Sequence, residues 1–195
     1  MYKVIGSVKN RTLRVLWTLE ELGLEYAHIP AAPGSSEAME YTKTGKVPAI
    51  VVEDQVFTDS IAIIRFLSDR HGSLTFPAGS VERLRMDGHI EFLNEEFDAL
   101  LWTAAKNSYI NPADHRCPDI KPVVRWEFER SLHRFETRLG DGPFLMGDQF
   151  TIADIVAVHC LNWAFVAKFP AATDRVKAYS KAARSRPAYA RVMAI

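Results

Sequence analysis

Gly45-Lys46-Val47-Pro48-Ala49-Ile50-Val51 carries the sharpest local signal in this chain of 195 residues. A proline that opens a strand cannot donate to the ladder from its own nitrogen. Two readings are open. Pro48 is a plain edge-strand proline, or its peptide bond is cis, which costs only about 0.5–1 kcal/mol before proline. A cis bond turns the chain sharply and leaves the Val47 N–H and C=O facing outward. A peptide-like ligand can pair with such a backbone as an added strand.

The organisation unfolds from this stretch in both directions. Downstream, Pro48 to Glu53 and Gln55 to Phe57 read as a hairpin around Asp54. Ser60 to His71 reads as a helix with Ile63, Ile64 and Leu67 facing inward. Upstream, Tyr2 to Gly6 is a strand. Leu13 to Leu22 is a helix whose Val15, Leu19 and Leu22 share one face, with Gly23 at its C-terminal cap. Leu24 to Ile29 is a second strand, and Pro30, Pro33, Gly34, Ser35 and Ser36 form a loop.

The order is therefore βαβ, then ββα. Beyond the break from Gly72 to Ser80 no alternating run recurs. Ser80 to Lys106 reads as one long helix with an acidic face of Asp87, Glu91, Glu95 and Asp98. Helices over Pro118 to Leu139, Thr151 to Lys168, Asp174 to Arg184 and the tail after Pro187 complete the chain. The predicted class is α/β plus all-α. A βαβ-ββα domain spans residues 1–75, and an all-helical bundle domain spans residues 82–195.

Composition narrows the partners. Lys+Arg number 24 and Asp+Glu number 24, so there is no net basic excess to attract nucleic acid. A membrane span needs about 20 apolar residues. The most apolar stretch, Ile155 to Ala167, is short and carries His159, Cys160 and Asn162. The N-terminus shows no signal-peptide pattern, and Cys117 and Cys160 cannot build a disulfide framework. The expectation is a cytoplasmic protein that engages neither nucleic acid nor membrane.

Two further segments carry candidate chemistry. Thr58-Asp59-Ser60 opens the helix that runs to His71. A helix start offers free N–H groups and partial positive charge, which suit a carboxylate. The residues three after Asp59 and Ser60 are Ala62 and Ile63, so neither completes a capping box. Donors are left for a ligand, and Asp59 can accept a bond from a ligand ammonium. The plainer reading is an ordinary cap. At Thr151-Ile152-Ala153-Asp154, by contrast, Asp154 can close the box, which marks a structural element.

The turn Ser7-Val8-Lys9-Asn10-Arg11-Thr12 sets hydroxyl, amide and guanidinium donors beside another helix start. Such donors stabilise a thiolate. Lowering a thiol pKa of about 8.5 by about two units takes roughly 2.7 kcal/mol. One charge-assisted hydrogen bond and a helix terminus supply that. A polar turn with a Thr or Asn cap is the plainer alternative.

In this order and at these separations, the segments resemble a glutathione S-transferase over essentially the whole chain. The resemblance rests on Arg14-Val-Leu-Trp-Thr-Leu-Glu-Glu-Leu-Gly23, Gly45-Lys-Val-Pro48, Thr58-Asp-Ser-Ile-Ala62 and Phe144-Leu-Met-Gly-Asp148 with Thr151-Ile-Ala-Asp154. It is most like the bacterial cytosolic members. It implies a thioredoxin-like domain followed by a helical bundle, and a homodimeric detoxification enzyme. The enzyme conjugates glutathione, its cosubstrate, to a small hydrophobic electrophile without a metal. It implies that Val47 pairs its backbone with the cysteinyl unit, that Pro48 is the cis proline, and that Asp59 and Ser60 hold the γ-glutamyl end. Trp102 and Tyr109 fall where the family lines its electrophile pocket.

The turn departs from the family. No Tyr stands at the end of the first strand, and Arg11 occupies the place of the Cys of one bacterial class. Ser7, Asn10 and Arg11 all remain candidates for contacting the sulfur, with Thr12 as the helix cap. These departures keep two alternatives open. One is a weakly catalytic or non-catalytic binding protein on the same fold, and the other a glutathione-dependent isomerase or dehalogenase. Trp126 and Trp163 read as core, as does His159. No His/Cys set has metal-site spacing, so no metal is expected.

Overall fold

A computed structural model describes residues 1–195, which divide into two compact units. One comprises Met1–Ala78 with Arg184–Ile195, the other Gly79–Ala183. The first unit contains β1 (Tyr2–Gly6), α1 (Thr12–Leu22), β2 (Tyr26–Pro30), α2 (Ser36–Tyr41), β3 (Ala49–Val52), β4 (Gln55–Thr58) and α3 (Ser60–His71). The sheet order is β2-β1-β3-β4. Strand β1 runs parallel to β2 and antiparallel to β3, and β4 is antiparallel to β3. This is the mixed sheet of a thioredoxin-like domain. Val4 and Ile5 of β1 are both fully buried, so the central strand is covered on both faces. Glu53 and Asp54 take φ of 51° and 61°, the paired positive values of a tight hairpin turn.

The structure departs from the sequence reading in three places here. Strand β2 begins at Tyr26 rather than Leu24, because Gly23 adopts a left-handed conformation and the Leu24 N–H returns to the Leu19 carbonyl. The expected loop holds α2, whose cap is Ser35 accepting from the Ala38 N–H at 3.3 Å. Ala38 packs on Ile5. A helix of six residues is too short to display a period.

The third departure concerns the C-terminus. The helix Pro187–Met193 belongs to the first unit, not to the helical one. Tyr189 packs edge-on to Trp17 of α1, with ring centroids 4.7 Å apart. Arg186 forks onto Glu21 at 2.7 and 2.6 Å, and Arg191 reaches Glu20 at 2.5 Å. Burial of α1 on every side from Thr12 to Leu19 requires a cover of this kind.

The second unit opens with α4 (Val81–Leu93) and continues without a break through a π turn (Asn94–Asp98), α5 (Ala99–Ala105) and a second π turn (Lys106–Ile110). Then come α6 (Ile120–Arg138), α7 (Ile152–Val166) and α8 (Asp174–Arg184), whose last residue marks the boundary between the units. Phe97 centres the core, with ring centroids of Phe128 at 4.7 Å and Phe135 at 5.4 Å.

The π turns correct two readings. A π turn closes i→i+5 instead of i→i+4 and so shifts the helix phase. Asp98 is thereby buried, off the acidic face that Glu91 and Glu95 still present to solvent. The second π turn carries helical structure past Lys106, the expected end of the long helix, to include Tyr109. Trp126 is not core. It is 55% exposed, with the Arg130 guanidinium 4.7 Å from its ring. Trp163 is half-buried, edge-on to His159.

The capping box at Thr151 forms as its sequence indicates. Asp154, fully buried, accepts from the Thr151 and Leu145 N–H groups and from the Tyr179 hydroxyl. No helix is long and apolar enough to cross a membrane.

Candidate functional site

Sheet register gathers the candidate segments of the first unit. Ile5 is aligned with Ala49, and Ala49 with Thr58. Just beyond these pairs, Gly6 and Ser7 leave β1, Val47 and Pro48 lead into β3, and Asp59 and Ser60 follow β4. Ser7, Val47-Pro48 and Asp59-Ser60, remote in sequence, thus meet at one end of the sheet. Strand spacing is about 4.8 Å, so β1 to β4 across β3 spans about 10 Å. An extended tripeptide spans about 10 Å as well.

The central segment is an open backbone. The Val47–Pro48 peptide is cis. Pro48 is buried and Val47 half-buried. The Val47 N–H and C=O make no hydrogen bond within the chain, the first ladder residue being Ala49. Gly45 anchors the approach to this segment. Its carbonyl accepts from the Gly34 N–H at 2.9 Å, and a Cβ on Gly45 would lie 2.8 Å from the Gly34 Cα.

At the start of α3 the expected surplus of donors is smaller than the sequence suggests. Asp59 is itself the cap. Its Oδ1 accepts from the Ile61 N–H at 3.0 Å and the Ala62 N–H at 3.1 Å. What remains is the Ser60 N–H, and Oδ2 of the exposed Asp59, which carries no hydrogen bond. Asp59 holds φ at 75°, a conformation that disfavours side chains and that clusters at functional sites. The Ser60 hydroxyl is buried and accepts from Arg14 Nη1 at 3.2 Å.

Arg14 is the residue that sequence reasoning passes over. It is 1% exposed, and it sets a fixed positive charge behind the α3 start. Its one sequence signal is a guanidinium inside the apolar run Leu13 to Leu19.

The three turn candidates separate. Asn10, not Thr12, caps α1. Its Oδ1 accepts from the Thr12 N–H at 2.9 Å and the Thr12 hydroxyl at 2.6 Å. Thr12 is fully buried and lies so near Gly6 that a Cβ there would sit 2.0 Å from Thr12 Oγ1. Arg11 is half-buried and engaged with a neighbour. Ser7 Oγ accepts from the Lys9 N–H at 3.2 Å, and its own proton has no acceptor. Tyr2 lies at the opposite end of β1 and is bonded to His71 at 3.0 Å.

The two remaining candidates belong to the second unit. Trp102 in α5 is 36% exposed, and Tyr109 in the second π turn is 64% exposed.

Sequence comparison decides the family. The glutathione S-transferase N-terminal domain matches residues 11–70, and the corresponding C-terminal domain matches residues 123–192. The chain belongs to the glutathione S-transferase family. Glutathione S-transferase 3 of Zea mays is 26% identical, with 93% of this chain and 88% of the maize protein covered. A glutathione transferase from Methylococcus capsulatus superposes with a TM-score of 0.83 at 25% identity, covering 100% of this chain and 98% of the other. A probable elongation factor 1-gamma 2 of Arabidopsis thaliana is 28% identical over 82% of this chain, which spans 39% of that protein. Glutathione S-transferases bind glutathione as cosubstrate, and the chain is a glutathione transferase in that general sense.

Proposed function

We propose that this chain conjugates the glutathione thiolate to a small hydrophobic electrophile, as a cytoplasmic homodimer in detoxification. One observation carries the reading. The ends of β1, β3 and β4 at one edge of the sheet carry an unpaired peptide backbone at Val47, an uncommitted hydroxyl proton at Ser7, and a carboxylate oxygen with an N–H at Asp59-Ser60.

Each glutathione group then has a partner. The cysteinyl unit pairs with the Val47 backbone as an added strand. The γ-glutamyl ammonium donates to Asp59 Oδ2. Its carboxylate accepts from the Ser60 N–H at the positive end of α3, with the Arg14 charge behind it. The sulfur lies by Ser7, which donates its free proton and holds the thiolate for attack. Asn10 shapes the turn. Arg11 contributes positive potential there. Trp102 and Tyr109 offer exposed aromatic surface to the electrophile.

A thermal-shift and activity series tests the reading. Millimolar glutathione raises Tm, because a ligand of the native state must stabilise it. Ser7→Ala raises the pKa of the bound thiol by up to about two units and slows conjugation of an aryl halide by up to about 100-fold. Absence of any glutathione shift overturns the reading. The likeness to elongation factor 1-gamma favours a second one, a binding protein without efficient turnover. Glutathione binding with no conjugation across a broad electrophile panel selects it.

A further inference from the structure

Asp98, His159 and Cys160 lie together inside the helical unit, with one ligand atom from each within 4.8 Å of the others. Nothing in glutathione chemistry uses them. Their spacing hides the set in the sequence, because Asp98 is far from the other two along the chain. Two features of the fold bring them together. The π turn Asn94–Asp98 turns the last of the acidic residues inward. Helix α7 is buried on every side from Ile152 to Leu161, so neighbouring residues His159 and Cys160, about 100° apart around the axis, both face protein.

We infer that Asp98, His159 and Cys160 form a binding site for a divalent transition-metal ion of the zinc type. A thiolate, an imidazole and a carboxylate are the three side-chain donors zinc prefers, and three protein ligands with a fourth position open is a standard coordination set. The geometry is close to bonding. Three atoms within 4.8 Å of one another all lie within about 2.8 Å of a common point, against metal–ligand bonds of about 2.0–2.3 Å, so shifts of under about 1 Å complete the site.

Burial also fits. The three residues are 6%, 7% and 0% exposed, and polar groups so placed need strong partners. All three already interact with neighbours, and metal bonds replace those contacts. On binding, the Cys160 thiol loses its proton to solvent and the neutral imidazole offers a lone pair. Hard cations such as Mg²⁺ are excluded by the sulfur and nitrogen donors.

The test uses the full chain carrying Cys117→Ser, which removes the exposed thiol. Protein expressed with zinc supplementation and dialysed is expected to hold about one zinc per chain by mass spectrometry. Chain refolded with Co²⁺ is expected to show the thiolate-to-cobalt charge-transfer absorption, and Zn²⁺ abolishes that band on displacement. Cys160→Ser removes the band, while Asp98→Asn and His159→Gln each weaken metal affinity by at least about tenfold. Zn²⁺ raises Tm and Mg²⁺ does not. Less than about a tenth of a zinc per chain overturns the inference, needing no core substitution to be read. So does a cobalt band that persists in Cys160→Ser, or equal Tm shifts with Zn²⁺ and Mg²⁺.

Discussion

Removing the Asp154 carboxylate should be the most damaging polar substitution in the helical unit. Its Oδ1 accepts from the Leu145 N–H at 2.9 Å and the Tyr179 hydroxyl at 2.8 Å, and its Oδ2 from the Thr151 N–H at 2.9 Å. Leu145, Thr151 and Tyr179 are 5%, 0% and 6% exposed, so Asp154→Ala orphans three donors away from water. Burial pushes the Tyr179 pKa well above 10.0, so its proton stays in place to donate. Each orphaned donor costs about 1–3 kcal/mol. Relief from burying a carboxylate returns a few kcal/mol. The expected net loss is about 3–5 kcal/mol, which lowers Tm by about 6–20 °C in a chain of this size.

Urea unfolding followed by circular dichroism, with a double-mutant cycle against Tyr179→Phe, gives the numbers. Tyr179→Phe removes a donor together with its need for an acceptor. The cost of Asp154→Ala should therefore fall by about 1–2 kcal/mol in that background. A cost under about 1 kcal/mol, or one unchanged by Tyr179→Phe, refutes the accounting.

Other perturbations separate stability from binding. Asp59→Ala loses two capping bonds and keeps a side chain at φ 75°, so it should destabilise by about 1–2 kcal/mol, and Asp59→Gly by less. Both should raise the glutathione KM by about 10–100-fold in conjugation assays, since both remove the proposed ammonium acceptor. Burial, with Arg138 and Arg85 nearby, holds His89 below the ordinary 6.5. The unfolded chain then binds the proton first as pH falls through 6.5, so folding stability falls with it. His89→Gln should flatten that slope by up to about 1.4 kcal/mol per pH unit in urea titrations between pH 5 and 7.5, and an unchanged slope rules His89 out. Arg186→Ala should cost about 1–3 kcal/mol and alter Trp17 fluorescence, because the helix carrying Tyr189 loses its fork onto Glu21. Unaltered fluorescence would show that the Arg186 fork does not hold that helix in place.

Local chemistry made much of the chain legible. The hairpin around Asp54, the α1 stop at Gly23 and the Thr151 box depend on residues within a few positions of one another, and such interactions are encoded where they act. At Asp59 the sequence left an ordinary cap and a ligand site both open, and the structure shows the cap, with Oδ1 taking the Ile61 and Ala62 N–H groups. Asn10 took the capping role given to Thr12 because Thr12 is locked against Gly6. Arg14 escaped notice because its partner, Ser60, lies on another helix.

By itself, the sequence determined the order of elements, the division between a mixed-sheet part and a helical part, and the glutathione S-transferase motifs. Periodicity and capping are short-range, so one strand of letters suffices for them. Only the tertiary structure decided that β1, β3 and β4 align Ser7, Val47 and Asp59 at one end of the sheet. It also decided that the Pro187–Met193 helix covers α1, and that a π turn carries Asp98 from a solvated face to His159 and Cys160. Those outcomes depend on strand register, helix phase and burial, which arise when distant segments pack and compete for the same water-free space.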